Sequence, residues 1–346
     1  MYSSNEMTVI QNKNDWEISL DPDPVKWEAF IETFPGAAIF QSRDMRDLLN
    51  AIPGNKAGSI ALLERGAIKG ILVYSILKEK GWKGAFSKRC IVHGGPLVSE
   101  NDQGVLDQLI RQLVELALSE KAIYTEIRNN WPLIPDPKTL SKQGFVYKPH
   151  LNILIDLTQE EKNLIHQMHP KRAANIRRAR KKEVNVRQIV SEEEWVSGYN
   201  LIQKTYRRVN LPAAGPELFL NLRKQIPDKS KLFAAFLGKQ MIAARFYLLS
   251  GDILYDWYAG SDEKYHRYQP NDLLPWEVMK WAKRNGFSTY DFGGAGRPGI
   301  DYGVRTYKER FGGRLVEPGR FQLVHRTFLF KLGQWGIRFY KFIRMI

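Results

Sequence analysis

A glycine-rich loop near the end of the chain has the spacing G-x-G-x-x-G, at Gly294, Gly296 and Gly299. In dinucleotide-binding proteins such a loop follows the first strand of a βαβ unit, cradles a pyrophosphate with backbone amides, and has an acidic residue ~20 positions further on. Here the loop follows a strand predicted late in the chain, Pro298 interrupts the turn, and the acid nearest that offset, Glu317, lies in another turn. The sequence therefore disfavours a nucleotide site in this loop.

A second group of residues that could do chemistry is a cationic segment from residue 171 to residue 182. Pro170 suits the first turn of a helix, and Ala173, Ile176 and Ala179 form a narrow apolar stripe along it. Seven positive charges without an acid repel one another unless an anion is near, so the segment favours contact with a polyanion over a merely solvated helix. The seven cations are Lys171, Arg172, Arg177, Arg178, Arg180, Lys181 and Lys182.

The sequence contains no pattern typical of a metal site. Cys90 is the single cysteine, which excludes an internal disulfide and a thiolate zinc site. The six histidines never form H-x-H or H-E-x-x-H, and His166 and His169 share a helix face without an acidic or thiol partner at metal spacing. We therefore expect neither a metal nor another cofactor.

Size and charge narrow the classes of function. The 346 residues suffice for two domains with separate cores. Lys and Arg number 52 against 37 Asp and Glu, and the resulting net charge of +15 favours nucleic acid, phosphorylated substrates or an anionic membrane surface as partners. The N-terminal segment lacks a signal-peptide pattern, and no segment reaches the ~18 consecutive apolar residues of a membrane span. These features predict a cytoplasmic location.

Two stretches of the chain share one order of predicted elements. Residues 59–129 predict a strand, a glycine turn, two further strands, a helix and a strand, and residues 232–294 repeat this order. Gly66 and Gly238 mark equivalent turns about half the chain apart. The repetition predicts two similar α/β domains with mixed sheets flanked by helices, although strand–helix alternation can also repeat by chance.

The segment that closes the second stretch carries a composite motif. The strand end YDFGG is followed, after a loop, by aromatic–Lys–x–x–Phe–Gly–Gly, here Tyr307 to Gly313. This motif, the cationic segment and residues 255–286 resemble the FemABX family of non-ribosomal peptidyltransferases. The resemblance implies two tandem GNAT-like domains, and because residues 192–225 hold only two short helices, the compact type without a long helical arm. The implied domains are residues 1–155 and residues 156–316, with residues 317–346 packing back on the first.

FemABX proteins move an amino acid from aminoacyl-tRNA to the amine of a peptidoglycan precursor stem peptide, in cell-wall bridge formation. The resemblance thus implies an acyltransferase whose partners are aminoacyl-tRNA and a lipid-linked or UDP-linked muropeptide. An aminoacyl ester is already activated, so the enzyme must align the amine with the ester carbonyl and stabilise the oxyanion. The family's lysine, here Lys308, is the implied catalytic cation, and Tyr307 is an implied substrate contact. The implied tRNA contacts are Lys171, Arg172, Arg177, Arg178, Arg180 and Lys181.

Four further residues are candidates for contacts with the acceptor. Arg207 and Arg208 suit a phosphate, which a guanidinium can bind through two parallel hydrogen bonds. Tyr255 and Tyr258 lie on a predicted strand, where alternation puts Tyr255 with Trp257 on one side and Tyr258 on the other. Tyr258 matches the family pattern better than Tyr255.

The C-terminal residues 326–346 contain five basic residues and no acid. Helical spacing predicts one face with Lys331, Arg338, Lys341 and Arg344, and another with Phe328, Leu332, Trp335, Phe339, Phe342 and Ile346. This pattern is typical of a helix on an anionic membrane surface and equally of a terminal helix packed on its own domain. A peripheral position at the inner face of the cell membrane is therefore one of two interpretations.

Two other functions remain open. An acyl-CoA-dependent N-acyltransferase would use the same fold, but that class usually has [QR]-x-x-G-x-[GA], where backbone amides hold the CoA pyrophosphate. The corresponding segment here, residues 261–274, contains no glycine. A non-catalytic RNA-binding or membrane-associated relative would have lost the chemistry, and the presence of Lys308 argues against it.

Overall fold

A computed structural model of the chain describes residues 16–34, 38–79, 84, 86–129, 137–211 and 214–343, with the side chains of the last helix described as far as Gly336. The predictions about the N-terminal segment and about the side chains beyond Gly336 lie outside the described residues. Internal contacts divide the chain into two compact units, one of residues up to Pro149 together with those from Pro318 onward, and one of His150–Glu317.

The elements alternate between strands and helices along the chain. The strands are β1 (Trp16–Ser19), β2 (Asn55–Glu64), β3 (Ala67–Leu77), β4 (Arg89–His93), β5 (Leu97–Val98), β6 (Tyr124–Arg128), β7 (Val146–Lys148), β8 (Asn152–Asp156), β9 (Val184–Ile189), β10 (Ser230–Leu237), β11 (Gln240–Ser250), β12 (Ile253–Ser261), β13 (Thr289–Gly294), β14 (Arg314–Val316) and β15 (Arg320–Val324). The helices are α1 (Pro24–Glu32), α2 (Arg43–Asn50), α3 (Gln103–Ser119), α4 (Pro137–Lys142), α5 (Glu161–Gln167), α6 (Pro170–Lys181), α7 (Glu192–Arg208), α8 (Pro216–Gln225), α9 (Pro270–Arg284), α10 (Gly303–Glu309) and α11 (Thr327–Ile343).

The first unit is built on a mixed sheet of order β1-β2-β3-β4-β6-β15-β7, with β5 also paired to β3. Strands β4 and β6 run parallel, and α3 lies between them in the chain. This helix begins at the N-cap Asp102 and buries Leu106, Leu109 and Leu113, which recur at helical spacing. A second apolar cluster, around Trp27 of α1, packs against β2 and β3.

The second unit repeats this plan with the order β14-β8-β13-β12-β11-β10-β9. Its parallel pair is β12 and β13, with α9 between them in the chain. Gly66 and Gly238 occupy the corresponding hairpin turns, β2–β3 and β10–β11, with φ of 76° and 56°. Such positive values favour glycine. The predicted fold class, α/β with mixed sheets flanked by helices, is confirmed.

Helices cover both faces of the second sheet. On one face α9 buries Trp276 and Met279 in the core that also contains Tyr290 and Phe292 of β13. On the other face α7 and α8 are joined where the Trp195 indole donates to the carbonyl oxygen of Phe219 at 2.6 Å. The helices between β9 and β10 have 17 and 10 residues, so the described part of this unit has no long helical arm, as predicted.

The expected boundary between residues 155 and 156 differs from the observed division. It would place most of β8 in the first domain, but β8 pairs with β13 and β14 of the second unit. Strand β15, in contrast, pairs with β6 and β7 of the first unit. Strand pairing rather than the sequence pattern therefore sets the division.

Candidate active site

The ladder between the parallel strands β12 and β13 ends at the pair Tyr255–Asp291. Beyond this pair the end of β13 is approached by α10. The half-buried Lys308 of α10 donates from Nζ to the carbonyl oxygen of Phe292 at 2.5 Å and to that of Gly294 at 2.8 Å. A cationic side chain is thereby fixed at the point where the two strands stop pairing.

The glycine-rich loop brings the chain from β13 to α10. Gly296 and Gly299 have φ of 78° and 72°, in the left-handed region that favours glycine. Arg305 of α10 donates to the carbonyl oxygens of Arg297 and Ile300 and so fastens the loop to the helix. The following strand, β14, runs antiparallel to β8, whereas a dinucleotide-binding unit would continue into a parallel strand.

The buried Asp291 and the half-buried Lys308, both ionisable, meet at this strand end. Burial lowers the pKa of Lys308 to about 8, although the carboxylates of Asp256 and Asp291 act in the opposite direction. Burial likewise raises the pKa of Asp291 to about 7, against the hydrogen bond from the Gly293 amide at 2.6 Å and the charge of Lys308. Both groups therefore change protonation close to neutral pH, as catalytic groups often do.

A buried ion pair that the sequence did not predict supports Tyr307. Arg245 of β11 donates to the carboxylate of Asp256 and, at 2.9 Å, to the hydroxyl of Tyr307. Tyr290 donates to the same carboxylate at 2.9 Å, and Tyr307 donates to the carbonyl oxygen of Asn271 at 2.5 Å. Burial alone would lower the pKa of Arg245, but Asp256 and the surrounding tyrosines raise it well above its usual value. An arginine inside the apolar run of β11 was the signal available in the sequence.

Arg172 differs from its expected role as a surface contact for a polyanion. Its side chain is only 6% exposed and forms an ion pair with Asp272. It also donates to the carbonyl oxygen of Tyr307 at 2.9 Å, and its guanidinium lies 4.5 Å from the ring centre of Tyr307 and 4.4 Å from that of Phe311. The reason is helical period: Arg172 shares the inner face of α6 with Ile176 and Ala179.

The other predicted cations of α6 are at the surface. Arg180 forms an ion pair with Glu277 of α9 at 2.6 Å between Nη2 and Oε1. The exposed side chains are those of Lys171, Arg177, Arg178, Arg180, Lys181 and Lys182. The interpretation of the segment as a cationic surface thus applies to all of its basic residues except Arg172.

The candidate acceptor contacts form a separate group in the second unit. Arg207 and Arg208 are exposed in the last turn of α7, and Arg208 Nη1 lies 2.8 Å from Glu263 Oε1. The ring of Tyr258 packs against that of Tyr206, with centroids 5.7 Å apart. Tyr206 comes directly before the two arginines in α7, so Tyr258 lies near the end of the helix that carries them.

The prediction that Tyr255 and Tyr258 face opposite sides of the sheet is wrong. Alternation holds only in an unbroken strand, and here the register of β12 with β11 shifts after Phe246, which makes Trp257 an extra residue. Tyr258 pairs with Phe246, and Tyr255 pairs with Leu248. Because residues two apart in β11 share a face, the two tyrosines lie on the same side.

A polar cavity of about 480 Å³ lies between α6, α10 and the start of α9. Helix α9 begins at Pro270, which lines this cavity. Lys308 lies on the adjacent face of α10 and is not part of the lining. The polar side chains that contribute include Arg172, Asn175, Gln269, Asn271, Thr306 and Arg310.

The described residues hold neither a metal cluster nor a membrane span. Within the described ranges, no group of three or more His, Cys, Asp or Glu side chains is placed to hold a metal ion. The Nδ1 atom of His169 accepts a hydrogen bond from the Lys171 amide at 3.2 Å and so caps α6. None of the helices, as far as the structure describes them, is long and apolar enough to cross a membrane.

Comparison with known proteins gives a consistent result. The family described as Acetyltransferase (GNAT) domain matches residues 170–309. A lipid II:glycine glycyltransferase of Staphylococcus epidermidis is 23% identical over 88% of this chain and 92% of that protein. The one of Staphylococcus haemolyticus is 31% identical over 110 residues, 30% of this chain and 26% of that protein. The crystal structure of FemX has a TM-score of 0.72 at 16% identity, covering 91% of this chain and 99% of that chain.

The chain is thus similar to lipid II:glycine glycyltransferases over most of its length and to FemX in fold, which agrees with the resemblance to the FemABX family. It is an acyltransferase of the GNAT fold, as the sequence predicted. A tandem GNAT protein from the clavulanic acid biosynthesis pathway has the same fold, with a TM-score of 0.54 at 9% identity, covering 89% of this chain and 98% of that chain.

The FemABX-like motif from Tyr307 to Gly313 has a steric explanation. Phe311 is buried in the core of the second unit. A Cβ atom on Gly312 would lie 2.8 Å from the backbone of Gln167, and one on Gly313 would lie 2.6 Å from the side chain of Ile153. Only glycine lets the chain turn this closely past α5 and β8, and the turn fixes the helix that carries Lys308.

Proposed function

We propose that this protein is a member of the FemABX family that transfers an amino acid from aminoacyl-tRNA to the amine of a peptidoglycan precursor stem peptide. The position of Lys308 carries the proposal. An ammonium group has three N–H donors, and the carbonyl oxygens of Phe292 and Gly294 accept two of them. The third donor is free to bind an oxyanion. Relatives named lipid II:glycine glycyltransferases support the class of acceptor.

The reaction needs few groups from the protein. The acceptor amine attacks the ester carbonyl, and negative charge develops on the carbonyl oxygen. The Lys308 ammonium stabilises that charge in a partly dry site, with little reorganisation because its position is already fixed. The intermediate then expels the ribose hydroxyl of the tRNA, an amide bond remains, and the proton lost by the amine balances the one gained by the leaving oxygen.

The donor would bind along α6. Its exposed cations present a surface for tRNA phosphates, as contacts that neutralise phosphate charge require. This helix contacts α10, which carries Lys308, because Arg172 donates to the carbonyl oxygen of Tyr307, the residue before Lys308. A tRNA held on α6 would therefore have its acceptor end within reach of α10. Aminoacyl-tRNA as donor implies action on the cytoplasmic side of the membrane.

The acceptor would bind on the side of α7. Arg207 and Arg208 offer two guanidinium groups for a phosphate, a group present in both lipid-linked and UDP-linked precursors. Arg208 would exchange its ion pair with Glu263 for that phosphate. The half-buried Tyr258 would be the neighbouring polar contact, whereas Tyr255, on the same face of β12, is buried with 5% exposure.

The test is transfer from a labelled aminoacyl-tRNA pool to each acceptor, with the product mass measured. Lys308→Ala should lower the transfer rate by about a hundredfold or more, the cost of removing one oxyanion donor. Lys162→Ala is the matched control, since Lys162 is an exposed lysine of the same unit. Unchanged transfer by a Lys308→Ala protein with normal thermal stability would refute the assignment.

An acyl-CoA-dependent transferase is the second candidate. It is supported by the polar cavity at the start of α9, where the Arg310 guanidinium could bind a pyrophosphate. Ligands that bind the folded state raise its melting temperature by mass action. Stabilisation by acetyl-CoA, together with none by aminoacyl-tRNA or muropeptide nucleotide, would favour this candidate over the first.

A further inference from the structure

Helix α11 has two faces with different surroundings. On the inner face the ring of Phe330 packs edge-on against Tyr124 of the same unit, with centroids 5.5 Å apart. On the outer face Phe328, Leu332 and Trp335 are exposed to 77%, 49% and 75%. Their spacing of four and three residues puts them in one stripe along the helix. The helix thus contacts its own unit through Phe330 and leaves an apolar stripe exposed.

The charge of the same segment indicates what covers this stripe. Residues 326–346 contain five basic residues and no acid, and those beyond Gly336 contribute to the argument only through their charge in the sequence. A second copy of the chain would bring two such segments together, and like charges would repel. An anionic surface would attract them. The five basic residues are Arg326, Lys331, Arg338, Lys341 and Arg344.

We propose that α11 is an interfacial helix that docks the first unit on an anionic lipid surface. The stripe Phe328–Leu332–Trp335 enters the boundary between headgroups and acyl chains, and the basic side chains contact lipid phosphates. Aromatic rings suit this boundary because they combine a large apolar area with a polarised edge. The inference concerns binding alone, so it stands or falls separately from the proposed transfer reaction.

The test is co-sedimentation of the full chain with lipid vesicles. Vesicles of phosphatidylcholine with about a quarter phosphatidylglycerol should bind the protein, and pure phosphatidylcholine should bind it more weakly. The triple variant Phe328→Ser, Leu332→Ser, Trp335→Ser should lower the partition coefficient on anionic vesicles by about tenfold or more, because it removes the apolar contribution. Val25→Ser is the matched control, since Val25 is 77% exposed on another surface of the same unit.

Three outcomes would overturn the proposal. The first is no binding to anionic vesicles, and the second is undiminished binding by the triple variant. The third is a concentration-dependent dimer of the unmodified protein that the triple variant abolishes, which would assign the stripe to a second copy. Because the three side chains are exposed, the triple variant should keep the melting temperature of the unmodified protein, which confirms that folding is intact.

Discussion

If Lys308 is the catalytic cation, its charge sets the pH range in which transfer can proceed. Its pKa is lowered to about 8 by burial, so the ammonium loses its proton as pH rises through that value. If the ammonium stabilises the oxyanion, kcat should fall above about pH 8, and a profile from about pH 6 to about pH 10 would show this limb. A rate that instead rises through pH 8 would mean that the neutral amine acts as a base.

Substitution of Asp291 tests the role of Lys308 in a second way. Its carboxylate attracts the Lys308 ammonium and raises the pKa of that group. In Asp291→Asn the attraction is gone, so the pKa of Lys308 should fall further and the alkaline limb of kcat should move to lower pH. The amide oxygen can still accept from Gly293, which preserves the turn. An unmoved limb would show that it belongs to another group.

Burial of Arg172 has a consequence for stability. Removing one partner of a buried ion pair leaves the other charge uncompensated, at a cost of about 3–5 kcal/mol. Arg172→Ala should lower the free energy of unfolding toward the lower end of this range, because Asn175 still donates to Asp272 at 2.6 Å. Arg177→Ala, at an exposed position of the same helix, should change it by no more than about 0.5 kcal/mol. Equal effects in urea unfolding would contradict the burial of Arg172.

At the scale of elements, the sequence predicted the features that depend on local pattern. The repeated hairpin turns at Gly66 and Gly238, the helix that begins at Pro170 and the loop before Lys308 each have a short-range signal, and the structure has each of them. The strand bulge at Trp257 has no such signal, because it arises from the register between two strands. A prediction based on alternation therefore assigned a tyrosine to the wrong face.

The positions of side chains that depend on contacts with other elements could not be predicted from the sequence either. Arg172 lies in a run of basic residues, and nothing local distinguishes it from its neighbours. It is buried because Asp272, a hundred residues further on, and the rings of Tyr307 and Phe311 surround it. The ion pair of Arg245 with Asp256 likewise forms across two strands. Such contacts require the assembled unit.

The turn after Phe311 gives a prediction for an element. A Cβ atom at Gly313 would lie 2.6 Å from Ile153 and 2.9 Å from the carbonyl oxygen of Leu154. Gly313→Ala should therefore cost about 1–3 kcal/mol of unfolding free energy through overpacking. At Gly303, in the first turn of α10, an added Cβ meets nothing within 4 Å. Gly303→Ala should be neutral or slightly stabilising in the same urea titration, and a similar loss for both variants would argue against steric packing.

For the molecule as a whole, the net charge of +15 makes salt the appropriate probe of tRNA binding. Each phosphate contact releases counterions, so the logarithm of the affinity falls with the logarithm of the salt concentration by about 0.7–0.9 per contact. Replacing Arg177, Arg178 and Lys181 by Ala should make this slope shallower by about 2–3. Filter binding between about 50 and 200 mM salt measures it.

Net charge alone could produce the same change, and a matched triple variant separates the two causes. Alanine at Lys162, Lys224 and Lys239 also removes three exposed charges from the second unit, but none of them from α6. Long-range attraction depends on the total charge and would weaken equally in both variants, whereas counterion release depends on which side chains touch phosphate. If the slope is shallower for the α6 variant alone, the tRNA phosphates contact that helix. If both variants have the same slope, the cations of α6 contribute only long-range attraction.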